Sequence, residues 1–197
     1  MQDMPDIILI FAAVTLFIAL VFLFAYLRRE MMDTRGVSAP RATARTLRNF
    51  AFLRRFKVLS NIEAGDVMIE NMLVGYFGIL LVRTLGAKGD YYGTLSGEQW
   101  SVVLGNNKTR FDNPVLSLTR QEAALRTLLS QKKLYNIPIE RMVYISNKSS
   151  KTTVSITNNG EILMPGKLAG YLDKTKFEKD LGLDVNQIAT AITNADS

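Results

Sequence analysis

The sequence predicts an α/β domain, built on a mixed sheet flanked by helices, behind one N-terminal transmembrane helix. Three observations carry this. Ile7 to Leu27 runs 21 residues without a charge. The rest alternates short β-branched runs with helical patterns, the order that layers helices against a sheet. The 170 residues after the apolar run suit one domain, and 48% hydrophobic residues supply a core rather than a disordered chain.

Ile7–Leu27 (IILIFAAVTLFIALVFLFAYL) is long enough, at about 1.5 Å per residue, to cross a hydrocarbon layer of roughly 30 Å. A cleaved signal peptide fits poorly. Asp3 and Asp6 stand where bases are needed, the apolar run is too long, and no small-x-small pair marks a cut. Arg28, Arg29, Arg35 and Arg41 follow the run, whereas only acids precede it. Positive-inside then puts residues 1–6 outside and the rest in the cytoplasm, at the cell membrane. The chain divides into that short N-terminus (1–6), the transmembrane helix (7–27), a basic juxtamembrane linker (28–42) and a folded domain (43–197).

Residues 31–42 hold Gly36, Ser38 and Pro40 and read as linker. Residues 43–59 read as a helix with bases and phenylalanines interleaved. Val67–Val74 and Gly78–Thr84 read as neighbouring strands around a turn bracketed by Gly75 and Gly78. The apolar run at 79–82 suits a strand covered on both faces. A glycine-rich stretch precedes a strand at Trp100–Leu104, and Asn106–Asn107 marks a turn. Asn113 caps, and Pro114 opens, a long helix with Leu118, Leu125, Leu128 and Leu129 inward and a Glu122–Arg126 pair. Arg141–Ser146 and 152–156 read as strands, and short helices near Gly166–Leu172 and Val185–Thr193 close the chain.

There is no cysteine and no histidine. Disulfides, thiolate nucleophiles, serine–histidine triads and histidine–metal sites are therefore excluded. Charge is uneven. Residues 28–57 carry nine bases against two acids, while residues 58–197 are nearly balanced. The nine bases are Arg28, Arg29, Arg35, Arg41, Arg45, Arg48, Arg54, Arg55 and Lys57. Beside the membrane such a stretch suits topology and anionic lipid head groups; interleaved with aromatics it also allows nucleic acid. The glycine-rich stretch lacks the Gly-Lys-Ser/Thr of a phosphate loop. Trp100, Tyr91 and Tyr92 read as packing residues rather than base-stacking platforms.

An ordered set of features spans residues 56–193: VLSNI, MIENMLVGYFGILLVRTL, Gly93, Trp100, FDNP and RMVYIS. Taken together these resemble the NERD (nuclease-related) domain. That family has a fold similar to the restriction-endonuclease-like PD-(D/E)xK nucleases. The resemblance implies metal-assisted phosphodiester hydrolysis, with carboxylates holding a divalent cation and a lysine assisting. It also implies where the chemistry sits: glutamine–apolar–aspartate–histidine on one strand, and glutamate–x–lysine on the next. This chain departs there. Met68 stands for the glutamine, Glu70 for the aspartate, Arg83 for the glutamate and Leu85 for the lysine. The preceding helix should bring another glutamate, yet residues 34–62 hold no acid. Ser117 is the nearest match to a glutamine expected early in the long helix.

One carboxylate beside an arginine is nearly neutral and favours an ion pair over Mg²⁺. The resemblance therefore implies a nuclease-like domain without its catalytic residues, needing no cofactor, that binds or scaffolds a protein partner at the membrane. Two alternatives stand beside it. One is an active Mg²⁺-dependent nuclease using Glu70, Asp66 and an unusual acid such as Glu63. The other is nucleic-acid binding without cleavage.

Overall fold

The computed structural model describes residues 13–28, 36–147, 154–155 and 161–194. Residues 13–28 form helix α1, whose large apolar side chains, such as Phe17, Phe22 and Leu23, are exposed. No helix among the described residues is long and apolar enough to cross a membrane. Residues 7–12 of the predicted span lie outside the described residues.

Helix α2 (Ala39–Phe52) starts inside the stretch read as linker, because Pro40 sits in its first turn, where a missing N–H costs nothing. It also ends before residue 59. Arg55 adopts a left-handed conformation (φ 57°), and the Phe56 amide turns back to the Ala51 carbonyl at 3.3 Å. Residues 53–56 make that turn, and 57–59 of the predicted helix belong to β1 (Lys57–Ala64), a strand the sequence reading missed.

Strands β2 (Val67–Gly75) and β3 (Gly78–Leu85) form the expected hairpin, closed at Gly75↔Gly78. Gly78 needs glycine: φ is 116°, and a Cβ there would lie 2.3 Å from the Pro138 carbonyl oxygen. Strands β4 (Asp90–Tyr92), β5 (Gln99–Leu104) and β6 (Asn107–Asp112) follow, then helix α3 (Pro114–Gln131) and strand β7 (Ile139–Ile145). Short strands β8 (Val154–Ser155) and β9 (Ile162–Leu163), helices α4 (Leu168–Leu172) and α5 (Val185–Thr193), and a 3-10 turn (Thr175–Phe177) complete the chain. The final helix matches its predicted bounds. The missed strands β4 and β6 are short or mostly exposed (NKTRFD), so no apolar alternation announces them.

The main sheet has the order β1-β2-β3-β7-β9, antiparallel through β3 and parallel from β3 to β9. The second sheet runs β6-β5-β4-β8. Helix α2 covers one face of the main sheet, where Leu47 and Ala51 meet Leu73, Leu80, Val82 and Met142. Helices α3 and α5 cover the other, where Leu118, Leu125, Ile188 and Ile192 meet Met72, Ile79 and Leu81. Ile79–Val82 is thus buried on both faces, as its unbroken apolarity required. The fold is mixed α/β with a helix-flanked sheet, as the sequence predicts.

The FDNP segment locks the second sheet to α3. Asn113 is 1% exposed. Its side-chain amide donates to the carbonyls of Thr94 (3.1 Å), Leu95 (2.9 Å) and Gly97 (2.6 Å), and its oxygen caps α3 at the Val115 amide (2.9 Å). Trp100 Nε1 also donates to Thr94 (2.8 Å). Trp100 and Tyr91 are core residues, and burial pushes the Tyr91 hydroxyl up to about 12. Tyr92, by contrast, is exposed.

Candidate functional site

The β2–β3 ladder ends at Asn71↔Val82. One residue further, Glu70 would face Arg83, but the strands diverge and backbone groups lose their partners. Side chains take over. Glu70 Oε1 accepts the Thr84 amide at 2.9 Å, in place of a strand carbonyl. Glu70 Oε2 lies 3.3 Å from Arg83 Nη1. Gln121, buried on α3, donates Nε2 to the Met68 carbonyl at 2.9 Å. The bonds satisfy the largely buried Glu70 carboxylate and the buried Gln121 amide, groups that would be costly to leave orphaned.

A polar chain extends behind Glu70. Asn71 Nδ2 reaches Glu70 Oε1 (3.5 Å) and the Pro40 carbonyl (3.1 Å), while Ser60 Oγ donates to Asn71 Oδ1 (2.7 Å). This links β1, β2 and the first turn of α2. The Glu70 side chain is 12% exposed against 41% for Arg83. Burial raises the Glu70 carboxyl above its ordinary value; the Arg83 charge and hydrogen bonds from Thr84 and Asn71 oppose this without cancelling it.

Asp66, the second carboxylate named from the sequence, is placed apart from Glu70. Asp66 precedes β2, roughly 13 Å from Glu70 along the strand at about 3.3 Å per residue. Asp66 shares a surface depression with Glu63, Thr127, Gln131 and Lys132. Leu85 is half-buried against the α3-side core. Ser117 lies in the first turn of α3, where its amide donates to the Asn113 carbonyl at 3.0 Å. Among the described residues no three acids gather to hold a metal ion. Of the nine juxtamembrane bases, Arg29 and Arg35 lie outside the described residues.

Sequence reasoning did not single out Gln121, Asn71 or Ser60. Ser60 and Asn71 are register partners, a relation that needs β1 to be recognised first. Also unanticipated is a cleft of about 640 Å³ between α2 and α4, at the carboxyl ends of β3 and β7. Thr43, Thr46, Lys88, Tyr144, Ser146 and Asn147 are among its lining residues, with no acid among the described residues that line it. The Thr43 hydroxyl is buried with no hydrogen-bond partner among the described residues. The described lining supplies hydroxyl and amide groups, the donors and acceptors of a polar recognition surface.

A helix-flanked mixed sheet whose polar side chains cluster where two central strands part defines a nuclease-like α/β module. The family model "Nuclease-related domain" (NERD) matches residues 35–146, more than half of the chain, and the chain belongs to that family. The match opens just before α2 and closes at Ser146, short of the stretch to residue 193 that the sequence resemblance included. No curated protein and no solved structure matches the chain.

Proposed function

We propose that this chain is a single-pass membrane protein whose cytoplasmic, restriction-endonuclease-like domain has lost catalysis and binds or scaffolds a partner at the membrane face. The carrying observation is the state of Glu70. Both its oxygens are engaged, one by the Thr84 amide and the other by the Arg83 guanidinium. A metal at that carboxylate would have to displace Arg83 and then sit beside its positive charge. The cleft between α2 and α4, lined among the described residues by hydroxyls and amides, supports a binding role. The apolar run Ile7–Leu27 and the bases after it support the anchor and its orientation. Anionic head groups, a protein partner, or both, occupy the membrane-facing side.

The test uses the full chain in detergent micelles with single- and double-stranded DNA and RNA, in Mg²⁺ or Mn²⁺. The expected result is no cleavage by the wild type. Cleavage that Glu70→Ala abolishes would make this a metal-dependent nuclease with a rearranged site. Retention of nucleic acid without cleavage would replace the protein partner by nucleic acid.

A further inference from the structure

The exposed face of α2 carries Arg41, Arg45, Arg48 and Phe52. At 100° per residue these four fall within about 60° of arc, one stripe along the helix. At its far end Phe52 is 84% and Leu53 83% exposed, among the most exposed large apolar side chains of the chain. Arg55 and Lys57, also exposed, flank that tip. Residues 34–62 contain no acid to neutralise the stripe. Among the described residues, Asp173 and Asp184 come near the tip from packed elements. Asp173 pairs with Arg54 at 3.9 Å, and Asp184 spends its carboxylate capping α5 at the Asn186 and Gln187 amides. Arg54 is turned inward over the Phe50 ring at 4.0 Å, so it is not part of the stripe.

We infer that α2 lies flat on an anionic bilayer surface, with Arg41, Arg45 and Arg48 on head groups and Phe52–Leu53 wedged among them. Charge complementarity names the occupant: a basic row is attracted to anionic head groups, and an exposed aromatic–aliphatic pair gains by entering the interface, while the apolar face of α2 stays packed on the sheet. Reach agrees with it. This rests on the anchored reading above, in which residue 28 sits at the bilayer surface. Gly36 is then at most about 28 Å away along an extended chain, and α2 itself is about 21 Å long. The covalent leash holds the stripe beside the lipid. Docking along α2 would hold the sheet's β3 and β7 ends, and the cleft beside them, at a fixed height above the membrane.

The chain has no cysteine, so Leu53→Cys creates a unique labelling site. The full-length chain with an environment-sensitive dye at position 53 is mixed with vesicles of phosphatidylcholine alone, or with roughly a third phosphatidylserine, that carry lipid nitroxide. An Asn106→Cys label on the exposed β5–β6 turn is the control. Quenching at 53 on anionic vesicles, absent at 106 and lost both in high salt and in the triple variant Arg41→Glu, Arg45→Glu, Arg48→Glu, is expected. High salt on the unaltered stripe keeps the result readable if the triple variant misfolds. A chain that floats with neutral vesicles while position 53 stays unquenched on anionic ones keeps its anchor and overturns this docking. A chain that floats only with anionic vesicles, quenched at 53, keeps the docking and overturns the anchor. A chain that floats with neither overturns both. A label that responds to an RNA or DNA oligonucleotide and not to anionic vesicles overturns the docking and makes the stripe a nucleic-acid surface.

Discussion

Arg83 Nη1 lies 3.3 Å from Glu70 Oε2, across the point where β2 and β3 part. In the proposed reading this arginine takes the place of a second carboxylate, and attraction would replace the repulsion that a metal relieves. The pair also closes the gap in the sheet, because the other oxygen of Glu70 serves the Thr84 amide. Its loss should therefore be felt as stability.

Arg83→Met leaves a nearly buried carboxylate without its cation and is expected to cost about 1–3 kcal/mol at neutral pH. The pH dependence follows from the direction of the Glu70 shift. Its folded value is raised, so the folded state holds the proton more tightly than the unfolded state. The contribution of Glu70 to stability is then largest below the unfolded value near 4.5 and falls as pH rises through the folded value. Arg83→Met should steepen that fall, and Glu70→Gln should flatten it. Denaturant titrations from acid to neutral pH measure both; a slope of opposite sign would mean that Glu70 is stabilised as the carboxylate.

Gln121→Leu removes the donor to the Met68 carbonyl while keeping bulk. Loss of this hydrogen bond from the buried Gln121 amide predicts a cost of about 1 kcal/mol. Circular-dichroism melting of the full chain in micelles reads it.

Asn113→Ala removes a cap and three hydrogen bonds to the Thr94–Gly97 loop together. The expected cost is about 3 kcal/mol, more than an exposed cap alone would give. A loss under about 1 kcal/mol would show that the loop is held by other contacts.

Arg55→Gly relieves a left-handed residue at the end of α2. It is expected to stabilise the domain by about 1 kcal/mol. The same change removes one base from the tip, so stability should rise while attachment to anionic vesicles weakens.

The parts of the fold legible in the sequence are those with a strong local cause. Ile79–Val82 reads as a strand because two-sided burial demands apolarity at every position. The α3 start reads from Asn113–Pro114, and the β2–β3 turn from two glycines. That turn makes the Glu70–Arg83 pairing legible too: a two-residue loop fixes the register, and the ion pair follows. β1 was hidden because VLSNI follows a basic, aromatic helix without a proline or glycine between. Gln121 was hidden because its partner is 53 residues away and depends on how α3 sits on the sheet, which no local pattern sets. The exposure of Phe52 and Leu53 was equally illegible, since apolar residues at a helix end normally turn inward.

In the proposed reading Arg83, and not a metal, neutralises Glu70. The most direct measurement is Mn²⁺ electron paramagnetic resonance on the full chain in micelles, counting free ion during a titration of wild type, Glu70→Ala and Arg83→Glu. Wild type and Glu70→Ala should show the same weak, unsaturated binding, with added binding in Arg83→Glu, where two carboxylates would face each other. One ion bound per wild-type chain and lost in Glu70→Ala would contradict it and restore a metal-dependent nuclease.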